Sequence, residues 1–244
     1  AFLVYESERS DADWELAEHC ARTALSLLGQ HAPDDHHLPD AIDQLGTVLL
    51  NRRNINRVPR LVEAESLFKR NLEVAPRFKS YHEQKRALLN LGILNHELAR
   101  QEPSRIFIAV DYYDELERLN KEHEPEDHMF GLLWTNRAWA LIELPRDRQP
   151  DGFRRAIVDA EKAVSLYRTK YLRPAGLALA LMYLGLAQSQ LDEYEHTQHE
   201  AVLRSLGEAQ AVFRQLRIAD GYSRVVHNLG LHWMHVGEPK SGRF

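Results

Sequence analysis

The chain has 244 residues, a formal net charge of −5, 44% hydrophobic and 27% charged residues, and one cysteine. That length can bury a real core in one large domain or two small ones, and the apolar content is too high for a disordered chain. No apolar run reaches the roughly 18 residues of a membrane span, the opening AFLVYESERS does not read as a signal peptide, one cysteine suits a reducing compartment, and the mild acidity speaks against a dedicated nucleic-acid binder.

Two interleaved patterns predict ten helices in chain order. Ala17/Ala21/Ala24 predicts a helix near 12–28, and Ile42/Leu45/Gly46/Leu49 one near 39–52. Ala64/Phe68/Asn71 predicts 60–74, and Leu88/Leu91/Gly92/Asn95 predicts 79–100. Ala109/Tyr113/Leu116 covers 105–121, a stretch that includes the only β-leaning run, Ile106–Val110. Trp134/Arg137/Ala138/Leu141 predicts 128–144, and Ala156/Ala160/Ala163 predicts 152–169. Leu181/Leu184/Gly185/Gln188 predicts 173–193, Ser205/Ala209/Val212 predicts 197–217, and Val226/Leu229/Gly230/Trp233 predicts 221–236. Offsets of three and four set each group on one helical face.

The small residues at 46, 92, 138, 185 and 230 recur at intervals of 46, 46, 47 and 45. Each repeat is therefore a helix of a first type, built on Leu-Gly or, at Arg137-Ala138, on Arg-Ala, followed by a second, small-residue helix. Small residues let the backbones approach, and larger ones fill the layers between. The ten prolines all fall between these helices or in their first turns, where the missing N–H does no harm.

These residues resemble the tetratricopeptide repeat. AESLFKRNLEV and VFRQLRIADGYSRVVHNLG are most similar to its long-repeat relatives, the kinesin light chain type and the helical sensor arms of bacterial signal-transduction ATPases and transcription regulators. Arg137, Asn95 and Asn71 depart from the family's usual residues, and the period of about 46 exceeds its usual length. HEAT-type repeats have a period of roughly 40–47 residues, but the Leu-Gly pairs favour the tetratricopeptide reading. The resemblance implies an all-α fold, a right-handed superhelical solenoid of antiparallel helix pairs spanning 1–244 as one repeat domain. It also implies a protein–protein interaction scaffold, cytoplasmic and not an enzyme, in the manner of a sensor or regulatory arm. The last helix has no second-type helix after it, so Val226, Leu229 and Trp233 are expected to present an uncovered apolar face. We therefore expect a piece of a longer protein. The alternative is an oligomerisation module, a homodimer that completes a repeat across its C-terminal helix.

In such a stack the first-type helices line the concave face, which holds a peptide, a helix or a partner domain. Asn90, Asn136 and Asn228 recur just before the Leu/Arg-Gly/Ala pairs, with Gln44 and Tyr183 at the matching places. An amide there can donate to and accept from a ligand backbone. Groove candidates one turn away are Arg86, Ile93, Glu97, Trp139, Glu143, Met182, Leu186, Arg224, His227 and Leu231. The alternative for the asparagines is that they pin adjacent helices. Glu97 and Glu143 argue against a basic clamp for a carboxy terminus.

Charge is uneven: residues 1–50 carry −8 and residues 51–86 carry +6. Arg52, Arg53, Arg57 and Arg60 form a patch that suits an acidic partner. The favoured reading pairs them with the acidic neighbouring repeat, and no interleaved aromatics suit nucleic acid. Histidines are plentiful, in HAPDDHH (His31, Asp34, Asp35, His36, His37), in HEPEDH (His123, Glu126, Asp127, His128), and in the pairs His196/His199 and His232/His235. None has the spacing of a closed metal site, so no metal or cofactor is expected. No catalytic signature is present, and Cys20 reads as a small packed residue.

Overall fold

The structure is a computed structural model that describes residues 10–52, 57–123, 128–145, 151–195 and 199–237. Every regular element among them is helical: α1 (Asp11–His31), α2 (Leu38–Asn51), α3 (Arg57–Val74), α4 (Tyr81–Leu98), α5 (Arg105–His123), α6 (Met129–Glu143), α7 (Gly152–Thr169), α8 (Pro174–Glu195), α9 (His199–Gln215) and α10 (Ala219–Gly237). Each matches one expected helix, and Ile106–Val110 lies inside α5. No helix of the described residues is long and apolar enough to cross a membrane.

Local chemistry sets several ends. Ser10 and Asp13 form a reciprocal capping box that starts α1. Pro39 sits in the first turn of α2, where its fixed φ is already helical. The helix expected near 79–100 is α4, and ahead of it Ala75–Phe78 form a 3-10 turn and Lys79 is left-handed at φ 54°. That residue breaks the helical path, so α4 begins only at Tyr81.

The chain divides into two compact units, whose described residues are 10–123 and 128–237. In the first, α1 to α5 pack mainly in sequence order, and the first-type helices α2 and α4 also touch. Leu45, Leu49, Leu61, Phe68, Leu91 and Leu94 share a core there, with Leu25 of α1 packed against it. In the second, α6 to α10 pack in sequence order, with further contacts of α6 with α8 and of α8 with α10. Leu133, Leu141, Met182, Leu206 and Phe213 are buried in that unit.

The small residues act as the pattern requires. A Cβ built on Gly46 would stand 2.6 Å from the Phe68 ring, and one on Gly92 would collide with Tyr113. Glycine is needed at both places because an aromatic ring from the next helix already occupies the space. Cys20 departs from expectation: it is exposed on α1, because it points away from the side that Ala21 shares with the core.

Candidate functional site

The candidate groove residues divide between the two units. In the first unit, Arg86 on α4 reaches back to α2, pairing with Asp43 at 2.5 Å and with Asp40 at 3.4 Å. Asn90, one turn on, makes long hydrogen bonds to Asp43 Oδ1 at 3.4 Å and Thr47 Oγ1 at 3.3 Å. Asp43 is wholly buried, and that burial pushes its carboxyl up to about 6 against the pull of Arg86. Gln44 turns to Asp40 on its own helix, at 3.4 Å. Glu97 takes Arg57 at 3.0 Å, and Ile93 packs against the leucine core. This cluster pins α4 to α2, with its polar atoms turned to one another.

In the second unit, three first-type helices gather a different group. Trp139 of α6 stacks on Tyr183 of α8, with centroids 5.6 Å apart and planes 11° apart. The Arg224 guanidinium of α10 lies over both rings, 5.6 Å from the indole and 5.8 Å from the phenol. It also approaches the Tyr183 hydroxyl, at 3.4 Å. Trp139 Nε1 donates to Glu143 Oε1 at 2.7 Å. Burial lifts Tyr183 above the usual phenol range, although Arg224 draws it down. Burial works against the Arg224 charge, but Tyr183, Asp220 and Glu143 hold its pKa above the ordinary value. Trp139 and Arg224 are half-buried and Glu143 is exposed, so this aromatic and ionic platform keeps a solvent-facing side.

The remaining candidates sort by burial. Met182 is buried and has no surface for a ligand, because it packs into the core of α8. Leu186 and Asn228 are half-buried; His227 and Leu231 are exposed. Asn136 donates to the Leu132 carbonyl of its own helix at 2.8 Å. The recurring amide position is thus occupied differently in each repeat.

Two arginines of the patch, Arg52 and Arg57, resolve as ion pairs. Arg52 is buried and meets Glu15 at 3.1 Å and Glu18 at 3.0 Å, so its guanidinium is turned inward to α1. Arg57 is held by Glu97, and Arg60 is half-buried on α3. Arg53 lies outside the described residues. Arg52 thus ties the basic second repeat to the acidic first one, and Arg22 and Glu63, at 2.6 Å, link the two segments with the charges reversed.

Among the histidines, Asp35, His36 and His37 bring three potential ligand atoms within 4.8 Å, on an exposed turn. Residues 124–127 of the second cluster lie outside the described residues. His199 and His232 do meet: Nδ1 of the first is 2.9 Å from Nε2 of the second. The other ring nitrogen of the buried His232 is 3.0 Å from Ser189 Oγ. The centroids are 5.1 Å apart, so the two nitrogens point nearly head-on, which is the geometry of a shared proton rather than of two ligands converging on a metal. His196 lies outside the described residues, as does the side chain of His235.

Sequence reasoning missed two groups. Arg137 and Asp159 form a buried bidentate pair at 2.7 and 2.9 Å, which explains why arginine stands where the repeat usually has leucine. The Ser189–His232–His199 chain was signalled only by histidines at a spacing of three. In a comparison with known proteins, the chain matches no family model and no curated protein.

Proposed function

We propose that this protein is an interaction scaffold: a tetratricopeptide-like, right-handed solenoid with a period of about 46 residues that holds a peptide or partner helix on its first-type helices. Its role would resemble that of a regulatory or sensor arm, acting by binding and not by catalysis. The observation that carries this reading is the platform of Trp139, Tyr183, Arg224 and Glu143, contributed by α6, α8 and α10. The half-buried Trp139, backed by the buried Tyr183, offers an aromatic surface, while Arg224 and Glu143 give opposite charges that orient a bound segment. The arrangement suits a peptide with an aromatic or aliphatic anchor beside a charged residue. The single cysteine and the absence of a membrane-spanning helix among the described residues accord with a cytoplasmic setting.

The test is peptide selection from a displayed random library against the full chain, followed by affinity measurement. Trp139→Ala combined with Arg224→Ala should weaken selected peptides at least tenfold, about 1.4 kcal/mol, with secondary structure unchanged. Equal affinity for the double variant would remove the platform from the binding face.

A further inference from the structure

The turn between α1 and α2 gathers three side chains that the groove does not use. It runs from Ala32, which caps α1, to Leu38, the first residue of α2. Its backbone is tied at four points. Asp35 N–H donates to the Ala32 carbonyl at 3.0 Å, and Leu38 N–H to the Asp35 carbonyl at 3.0 Å. His37 N–H donates to Asp35 Oδ1 at 2.8 Å, and Ala41 N–H to the His37 carbonyl at 3.0 Å. Pro33 and Pro39 restrict φ at either end. Leu38 is buried in one core cluster with Ile42 and Val74. The exposed residues of the turn are therefore held in place by the packed helices that flank them.

Here Asp35, His36 and His37 bring a carboxylate oxygen and two imidazole nitrogens within 4.8 Å of one another. Asp35 Oδ1 stands 3.6 Å from His36 Nδ1, and the two rings lie 4.0 Å apart between centroids, tilted by 39°. Ligand atoms held by one tetrahedral zinc at about 2.1 Å stand roughly 3.4 Å from each other. Rotation of the His36 ring, whose side chain is 76% exposed, covers the difference. Nothing on the protein competes for these atoms. No lysine or arginine occurs between Arg22 and Arg52. Arg86 answers Asp40 and Asp43, but among the described residues no lysine or arginine pairs with Asp34 or Asp35. Neither imidazole makes a hydrogen bond to another side chain among those residues, whereas the nitrogens of His232 are spent on His199 and Ser189.

We propose that Asp35, His36 and His37 form a surface site for one borderline divalent cation: zinc, nickel or copper. Two imidazoles and a carboxylate are the donors such ions favour, while magnesium and calcium favour oxygen alone. Three protein ligands leave a position to water. The site is thus open, unlike the closed four-ligand kind whose spacing the sequence lacks. A bound ion clamps the end of α1 to the start of α2 through the turn that joins them.

Equilibrium dialysis of the full chain against about 0.1 mM Zn2+ tests this, with metal content read by atomic absorption. The chain has other histidines, so the readout is a difference: the wild type should hold one more zinc than the His36→Ala/His37→Ala variant. Both rings are exposed, so that variant should melt with the wild type when zinc is absent. Zinc should raise the wild-type melting temperature further than the variant's, because it binds the folded turn. Asp35→Asn keeps an oxygen for the His37 N–H and removes the charge, and should weaken the same site at least tenfold. Equal zinc content in the wild type and the double variant overturns the proposal. So does displacement of that equivalent by millimolar Mg2+, or undiminished affinity in Asp35→Asn.

Discussion

Asp43 shows how much a single buried side chain decides. Its carboxyl has lost water and is compensated by Arg86, Thr47 and Asn90, yet burial prevails and raises it to about 6 from an ordinary 3.8. The folded protein therefore binds this proton more tightly than the unfolded chain. The residue's favourable contribution is complete below pH 3.8 and fades as pH rises through 6. Asp43→Asn should flatten that part of the stability profile: the variant should gain on wild type as pH rises from 3.8 to about 6, as read by urea unfolding across pH. A profile as steep as the wild type would show that the slope comes from elsewhere. Little of this was legible in the sequence. Asp43 and Arg86 are 43 positions apart, and Arg137 looked like a departure from the repeat until its partner Asp159 was seen on the next helix. Period and composition place a residue on a helical face, but they do not say which charge from another helix arrives there. Asn71 is the counterexample: it is fully buried, neither amide atom finds a partner among the described residues, and nothing in the structure explains why an amide stands there.

At the scale of the element the sequence was far more informative. Offsets of three and four located all ten helices because the small and large residues at those offsets pack against neighbouring helices, and the described prolines lie outside the helical interiors. The left-handed turn at Lys79 between α3 and α4 was not anticipated, since a left-handed lysine has no sequence signature comparable to glycine. The glycine-to-ring contacts make a direct prediction. Gly46→Val would drive its side chain into Phe68 and should cost about 1–3 kcal/mol through overpacking. Adding Phe68→Leu, which vacates the ring's space, should recover part of that loss in thermal melts. If the double variant is worse by the full sum of the two single changes, the residues are not packed against each other as described. Such contacts tie sequence to architecture: a helix pair can approach closely only where one partner has no side chain.

Over the whole molecule, the uneven charge has a structural reading. The acidic opening and the basic second repeat neutralise each other within the first unit through Arg52–Glu15 and Arg52–Glu18, while Arg22–Glu63 links the two segments with the charges reversed. The net charge of −5 conceals this internal pairing. The expected groove, by contrast, was drawn from one regular row of positions. The first unit spends its share on pinning α4 to α2, while the second assembles a stacked platform with a free side. Repeat arithmetic assigns equivalent positions but not equivalent neighbours, so the row could be read in sequence and the difference in use could not.

The in-order packing of helices within each unit has a mechanical consequence. Among the described residues the main contacts join chain neighbours, with no large clasp between distant helices that must rupture all at once. Pulled from its ends, each unit should yield helix by helix at low force, in steps of one or two helices. Optical-tweezer traces would show a staircase of small extensions. A single large rip per unit would mean that the helices unfold as one block.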